Sequence, residues 1–405
     1  MFWQIKKNKI IFVCMAALLL NGCGNAVSSD AAIVDDSNVD EAVSAQTVEY
    51  KIISPEMYEQ ADMWASCDDS RLAAVMKKAQ SKEKVVIACI GGSITQGVVS
   101  TGSKDKELLD SKVIEAKKPY ADYYFEWWEN SFPDTEFEFI NAGIGGTSSY
   151  YGVHRVEEEV LKYNPDLVLV EFAVNDGADN FYQRSYDNLV RRILKSRSDC
   201  ACIMLFMEQT NGISAQKNEV LIGFNYKVPM ISYANAIEYC MDNKVYTDKD
   251  LAGDGVHPSA LGHLLCGELL SQYLDNVYLT LNSYEEPKDF SDSPVTKECY
   301  MDASRIKLED CGQILEDGTI EATATFSRLG LAFNKTADGK SGAVDVYVDG
   351  QHVMKVDADF KNGWGAYIDS KEVYASDEYK EHTIELKKCD DSLDKEFKLE
   401  YFLIN

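Results

Sequence analysis

Four short segments of the sequence carry residue types that suit nucleophilic catalysis. They are Gly91-Gly92-Ser93, Gly143-Ile144-Gly145-Gly146, Asn175-Asp176 and Asp254-Gly255-Val256-His257. A serine hydroxyl is a poor nucleophile until a base removes its proton. His257 follows Asp254 by three residues, so the carboxylate can hold one imidazole nitrogen while the other nitrogen faces Ser93. We therefore predict Ser93 as nucleophile, His257 as base and Asp254 as its support.

The same segments offer hydrogen-bond donors for a tetrahedral intermediate, whose oxyanion needs donors that are already in place. Gly146 can present a backbone N–H with no side chain in the way, and Asn175 can present a side-chain N–H. The backbone N–H of Ser93 is a third donor. These residues together predict an acyl-transfer site with an oxyanion hole.

The segments that must position these residues alternate between strand-like and helix-like patterns. The predicted strands are mostly apolar and lie at residues 85–90, 137–140, 166–174, 203–207 and 228–233. The predicted helices lie at residues 71–80, 119–131, 150–163, 186–195, 215–224 and 258–274. Apolar strands separated by helices indicate a parallel sheet covered on both faces. Ligands bind such sheets beyond the carboxyl ends of the strands, where the polar segments lie.

Ser93, Gly146, Asn175 and His257, in this order, resemble the four signature residues of the SGNH hydrolases, also called the GDSL family. The resemblance covers about residues 70–275. It implies a three-layer α/β/α sandwich with a flavodoxin-like parallel sheet, and an activity that needs no cofactor. It also implies that Ser93 is the nucleophile, that His257 is the base supported by Asp254, and that Gly146 and Asn175 are oxyanion-hole residues.

Two positions depart from the family pattern. Gly92 stands where the family usually has Asp, and Ala173 stands where it usually has Gly. Neither change removes a catalytic group. No Cys or Cys/His spacing in the chain suggests a zinc site, and we predict no metal.

The N-terminus is typical of a targeting signal. Lys6, Lys7 and Lys9 precede an apolar run over residues 10–20, which is too short to span a bilayer. The run ends before Cys23, and the whole segment resembles a bacterial lipoprotein signal over residues 1–22. We predict lipidation of Cys23 and a location on the bacterial cell surface or the periplasmic side. An ordinary signal peptide or an uncleaved anchor is the alternative.

The composition divides the rest of the chain into four parts. Residues 23–49 are acidic and lack aromatic residues, which predicts a flexible tether. Residues 50–280 form the predicted hydrolase domain, and residues 281–296 read as a linker. Residues 297–405 show short alternating runs and an Asp349-Gly350 turn signal, which predict a C-terminal β-sandwich that resembles carbohydrate-binding domains.

The overall charge excludes two classes of partner. The 405 residues hold 40 Lys and Arg against 67 Asp and Glu, a formal net charge of −27. Binding to nucleic acid or to anionic lipid through a basic patch needs the opposite balance, so we predict neither. The only predicted membrane attachment is the N-terminal lipid. Nine of the 11 cysteines remain once Cys14 and Cys23 are set aside, and this odd number does not favour a dense disulfide framework.

Several residues have both a functional and a structural interpretation. Trp364 is the best candidate for a platform on which a sugar ring stacks, with core burial as its alternative. Tyr150 and Tyr151 either line a sugar pocket or pack in the core. We expect a surface or packing role for His154, with contact to the substrate as its alternative, a structural role for His263, and a supporting role behind the site for Glu171.

These features together favour a serine esterase that removes short acyl groups, most often acetyl, from polysaccharides or oligosaccharides. The alternative enzyme is a lysophospholipase or thioesterase. The alternative from another class is a non-catalytic glycan-binding surface lipoprotein.

Overall fold

The computed structural model describes residues 50–63 and 67–405. The predicted signal of residues 1–22, the lipidation site Cys23 and the tether of residues 23–49 lie outside the described residues. Among the helices that the model describes, none combines the length and the apolar character that crossing a membrane requires.

A parallel sheet of five strands forms the centre of the first domain. The strands are β1 (Val85–Gly91), β2 (Phe137–Gly143), β3 (Leu167–Glu171), β4 (Ala201–Phe206) and β5 (Met230–Ser232). Their order in the sheet is β2-β1-β3-β4-β5, and every neighbouring pair is parallel. This is the flavodoxin-like order, in which the strand order reverses between β1 and β3 and leaves a crevice at their carboxyl ends.

Helices cover both faces of this sheet. They are α1 (Pro55–Ala61), α2 (Ser70–Gln80), α3 (Ser93–Gln96), α4 (Asp105–Asp110), α5 (Tyr120–Ser131), α6 (Ser149–Glu159), α7 (Asn180–Ser196), α8 (Gln216–Tyr226), α9 (Tyr233–Asp242), α10 (Asp248–Leu251) and α11 (Ala260–Leu279). Successive side chains of a strand point to opposite faces. Ile87 and Cys89 accordingly join one core with α2, α5 and α11, whereas Ala88 and Ile90 join a second core with α6 and α7. The predicted three-layer arrangement is confirmed.

An antiparallel sheet forms the C-terminal domain. Its elements are β6 (Ser304–Ile306), the short helix α12 (Leu308–Cys311), β7 (Gly312–Ile314), β8 (Ile320–Thr336), β9 (Ala343–Val348), β10 (Gln351–Asp357), β11 (Ala366–Lys388) and β12 (Leu399–Ile404). Asp349 and Gly350 join β9 to β10, and both have positive φ, as a tight hairpin turn requires. The sheet has its own apolar core. The predicted α/β domain and the separate all-β C-terminal domain are confirmed, and the strands predicted as a β-sandwich belong to one seven-stranded antiparallel sheet.

The two domains pack directly on each other. Gly330 of β8 contacts Tyr150 of α6 so closely that a methyl group on Gly330 would lie 2.1 Å from the Tyr150 hydroxyl oxygen. Arg305 of β6 donates a 2.7 Å hydrogen bond to Glu158 of α6. The segment that reads as a linker also packs on the α/β domain, where the N–H of Thr296 donates to buried Asp187. Contacts of this kind fix the position of the β domain.

Candidate active site

Ser93 lies at the carboxyl end of β1 as the first residue of the short helix α3. The strand ends at Gly91, and Gly92 forms the turn into the helix. The Ser93 side chain is mostly buried, and its Oγ lies 2.9 Å from Nε2 of His257. Residues 164 positions apart in the sequence are thus in hydrogen-bond contact at the sheet edge that the sequence predicts.

His257 is held by a turn that begins at Asp254. Oδ1 of Asp254 accepts hydrogen bonds from the backbone N–H groups of Val256 and His257, and Gly255 supplies the positive φ that the turn needs. Oδ2 of Asp254 lies 2.7 Å from Nδ1 of His257. With Nδ1–H donated to Asp254, Nε2 is the nitrogen that can accept the Ser93 proton.

The electrostatics of this pair favour a charged carboxylate. Partial burial acts to raise the pKa of Asp254, but the hydrogen bonds from the His257 side chain and from two backbone N–H groups outweigh it and lower the pKa below its usual range. Asp254 therefore stays ionised at neutral pH and can stabilise an imidazolium on His257.

The loop that contains Gly146 is tied to the helix that carries Ser93. The backbone N–H of Gly145 donates a 2.8 Å bond to the Gln96 side chain, and the Asn141 side chain donates to the backbone carbonyl of Thr95. Gly146 has a φ of +75°, a conformation that favours glycine. The sequence-predicted donor loop and the Ser93 turn thus form one hydrogen-bonded unit.

Asn175 follows β3 and faces the same turn. Its backbone N–H bonds to the carbonyl of Phe172 at 2.9 Å, and its Oδ1 is buried. The position where Gly92 would carry a Cβ is 2.1 Å from that Oδ1. The structure therefore brings Ser93, Asn175 and the Gly146 loop together around the carboxyl ends of β1, β2 and β3.

An aromatic group from the β domain borders this site. Tyr367 lies in β11, and a methyl group on Gly146 would lie 2.8 Å from its ring. The Tyr367 ring stacks on Trp364 with 5.4 Å between ring centroids, and Phe360 packs against both rings. Trp364 is 71% exposed, so the core-burial alternative for this residue is wrong.

Tyr367 is a residue that sequence reasoning missed. It stands only three positions after Trp364, but its importance depends on the β domain folding back onto the Gly146 loop. That contact between distant segments leaves no local pattern in the sequence.

The sugar-pocket interpretation of Tyr150 and Tyr151 is wrong. Both side chains are about 1% exposed, because α6 packs between the sheet and the β domain. Tyr150 packs on His154 and Tyr300, and the Tyr151 hydroxyl accepts a hydrogen bond from Arg305. The packing alternative describes both residues.

The remaining candidates lie behind the site. His154 is buried and contacts the backbone carbonyl of Tyr150, and buried His263 accepts a hydrogen bond from the backbone N–H of Tyr120. Glu171 is fully buried and accepts a 2.9 Å bond from the Thr95 hydroxyl, within the helix that carries Ser93. Burial raises the pKa of Glu171 to about 7, against hydrogen bonds from Thr95 and Gly92 that lower it.

Neither a cluster of metal-ligating side chains nor a disulfide is present in the part of the chain that the structure describes. No group of three or more His, Cys, Asp or Glu side chains there is arranged to hold a metal ion. The nine cysteines within it are free thiols, and seven of them are buried.

Residues 89–265 match the model of the GDSL-like lipase/acylhydrolase family. The α/β domain belongs to the SGNH/GDSL hydrolase family. The matched region begins inside β1 and ends inside α11, so it contains every candidate residue of the α/β domain. The resemblance inferred from the four signature residues is confirmed.

Known proteins extend this family assignment. An arylesterase of Vibrio mimicus is 19% identical over 155 residues, which cover 36% of this chain and 78% of the arylesterase. The crystal structure of a two-domain esterase active on acetylated mannans, co-crystallised with mannopentaose, is similar to this chain with a TM-score of 0.75 and 26% sequence identity. The similar region covers 86% of this chain and 97% of the esterase chain. A second structure of a two-domain esterase active on acetylated mannans has a TM-score of 0.74 at 26% identity, covering 86% of this chain and 98% of its own. This SGNH/GDSL hydrolase is a carboxylic ester hydrolase, as predicted.

Proposed function

We propose that this protein is a serine esterase that removes acetyl groups from acetylated polysaccharides, with mannan as the first polymer to test. The observation that carries the proposal is the 2.9 Å contact between Ser93 Oγ and His257 Nε2, with half-buried Tyr367 and exposed Trp364 of the β domain against the Gly146 loop. The similarity to the two-domain mannan esterase extends over both domains and supports the choice of polymer.

The chemistry follows from the geometry in two steps. Ser93 Oγ attacks the ester carbonyl carbon while His257 Nε2 takes its proton, and Asp254 stabilises the resulting imidazolium. His257 then returns the proton to the departing sugar hydroxyl, which leaves acetyl on Ser93. His257 then takes a proton from a water molecule, whose oxygen attacks the acyl carbon; the bond from that carbon to Ser93 Oγ breaks, acetate leaves, and His257 returns the proton to Ser93 Oγ.

The negative charge on the tetrahedral carbonyl oxygen needs donors in both steps. We assign this role to the backbone N–H groups of Ser93 and Gly146 and to Nδ2 of Asn175. Oδ1 of Asn175 is buried close to Gly92, which leaves Nδ2 as the end of the carboxamide that is available to donate.

The aromatic pair gives the site a surface that suits a sugar ring. The C–H faces of pyranose rings pack on aromatic rings, and Trp364 offers an exposed face directly beside Tyr367. Because Tyr367 contacts the Gly146 loop, a sugar held on this pair lies close to the proposed acyl site. The sequence also contains no long apolar insertion to hold a fatty chain, which supports a short acyl group.

The location of the enzyme remains part of the proposal. We propose that lipidation of Cys23 anchors it outside the cytoplasm, where polysaccharide is accessible. Metabolic labelling of the full-length chain with a clickable fatty acid tests this anchor. We expect label in the wild type and none in Cys23→Ala.

The function is tested by comparing substrates at equal enzyme concentration. We expect acetate release from acetylated mannan and slower release from acetylated xylan, with no fatty-acid release from lysophosphatidylcholine. We also expect a fluorophosphonate probe to label the wild type and not Ser93→Ala. Faster lysolipid hydrolysis would favour the lysophospholipase alternative. Binding of mannan without labelling or acetate release would favour the glycan-binding alternative.

A further inference from the structure

Asp176 connects the two loops to which we assign the oxyanion donors. It directly follows Asn175, and its Oδ1 accepts a 2.8 Å hydrogen bond from the backbone N–H of Ser149. Ser149 is the first residue of α6, which begins three positions after Gly146. From these contacts we propose that Asp176 is a positioning residue, which holds the Asn175 side chain and the Gly146 N–H at a fixed separation. The inference rests on the proposed function.

The turn that carries Asp176 is fixed to the sheet. The backbone N–H groups of Asn175 and Asp176 both bond to the carbonyl of Phe172 at 2.9 Å. Asp176 and Ser149 are both buried, at 6% and 0% exposure. A hydrogen bond in such a dry environment is costly to leave unmade. The bond to Ser149 therefore holds the start of α6, and the Gly146 loop that precedes it, at a fixed distance from the turn that follows β3.

The Asp176 carboxyl group also suits the end of the helix that it contacts. Burial raises the pKa of Asp176 to about 8, against the hydrogen bonds from Ser149 that lower it, so at neutral pH the group acts through its Oδ1 acceptor and not through a negative charge. An acceptor at a helix N-terminus satisfies a free backbone N–H. Asp176 differs from an ordinary cap because it belongs to another segment of the chain, 27 residues away. Loss of its side chain frees α6 and the Gly146 loop to move relative to Asn175.

Asp179 offers a matched control three positions further along. Its Oδ1 accepts hydrogen bonds from the backbone N–H groups of Phe181 and Tyr182 at the start of α7. It is the same residue type with the same capping chemistry, but it acts on a different helix. Asp179→Ala therefore removes a helix cap and keeps the bond between Asp176 and Ser149.

The test measures kcat and KM on p-nitrophenyl acetate, with thermal unfolding of each variant. We expect Asp176→Ala to lower kcat by about 10- to 100-fold with KM changed less than about twofold, because oxyanion donors act mainly in the transition state. Asp176→Asn keeps an oxygen for the Ser149 N–H, and we expect its kcat within about threefold of the wild type. Asp179→Ala should lower the melting temperature and keep kcat.

A second variant removes the same bond from the other side, in case Asp176→Ala does not fold. Ser149→Pro deletes the N–H donor at the first helical position, where proline is tolerated. We expect its kcat to fall as in Asp176→Ala, and the double variant to be no worse than either single one. Wild-type kcat in Asp176→Ala or Ser149→Pro would overturn the proposal, as would an equal loss in Asp179→Ala. Activity that survives in Ser93→Ala would instead overturn the proposed function.

Discussion

Gly92 lies directly against the Asn175 carboxamide, and this contact is possible because Gly92 has no side chain. A methyl group on Gly92 would lie 2.1 Å from Asn175 Oδ1. Gly92 occupies the position at which the family usually has Asp. In this chain the space that a Cβ needs is taken by the Asn175 side chain. The departure from the family pattern is thus part of how Asn175 reaches its place beside Ser93.

Gly92→Ala is expected to displace Asn175 and to lower kcat on p-nitrophenyl acetate. Loss of one oxyanion donor costs about 10²- to 10³-fold in kcat, and this is the expected range for both Gly92→Ala and Asn175→Ala. The two substitutions act on the same donor, so the double variant should lose little more than either single variant. Additive losses, multiplying to more than about 10⁴-fold, would show that Gly92 acts by some other route.

Asp254→Asn tests how His257 is held. The amide keeps an oxygen for the backbone N–H groups of Val256 and His257, so the turn should persist. It loses the charge that stabilises the imidazolium, and in serine hydrolases this change lowers kcat by up to about 10⁴-fold. We expect a fall in kcat of at least about 10²-fold with a melting temperature within about 3 °C of the wild type. A variant that retains more than half of the wild-type kcat would remove Asp254 from the proposed mechanism.

The sequence predicts the α/β domain well because each strand and helix of that domain can be recognised from a short run of neighbouring residues. Apolar strands such as Val85–Gly91 and Leu167–Glu171 are recognisable from composition, and the polar residues that follow them meet at one sheet edge by topology alone. The position of Tyr367 over the Gly146 loop depends instead on packing between domains. The burial of Tyr150 has the same origin, because the partner that covers it, Gly330, is 180 residues away.

Trp364→Ala should weaken binding of polymer without affecting the chemistry. We expect KM for an acetylated manno-oligosaccharide to rise by about 2- to 10-fold, since stacking on an aromatic ring contributes about 0.5–1.5 kcal/mol. The kcat/KM for p-nitrophenyl acetate should stay within about twofold. Tyr379→Ala is the matched control, because Tyr379 is also an exposed aromatic residue of β11, at 68% exposure, and should leave both substrates unchanged. Equal effects of the two substitutions would contradict a sugar-binding role for Trp364.

Tyr150→Phe distinguishes a packing residue from a sugar ligand. The Tyr150 hydroxyl is buried without a hydrogen-bond partner in the described structure, and a buried unsatisfied group costs about 1–3 kcal/mol. Its removal should therefore leave the free energy of unfolding unchanged or raise it by up to about 2 kcal/mol. Chemical denaturation gives this value, and KM for an acetylated oligosaccharide should not change. A large rise in KM would restore the sugar-pocket interpretation.

His263→Gln is expected to reduce the sensitivity of the fold to acid. Nδ1 of His263 accepts a hydrogen bond from the backbone N–H of Tyr120, and Nε2 donates to the carbonyl of Val98, so the buried ring fits only as the neutral form. Burial lowers the pKa of His263 to about 4, against a hydrogen bond to Val98 that raises it. The unfolded chain takes up this proton near pH 6.5, so the stability that neutral His263 supports is present above about pH 6.5 and is lost as the pH falls towards about 4.

The wild type should lose about 2 kcal/mol more than His263→Gln between about pH 7 and pH 5, as measured by urea denaturation at each pH. Glu171 contributes a slope of opposite sign, because burial raises its pKa to about 7, but it is present in both proteins and cancels in the difference. His352→Gln, which removes an exposed histidine, is the control substitution. If His263→Gln and the wild type lose equal stability on acidification, His263 is not a source of the acid sensitivity.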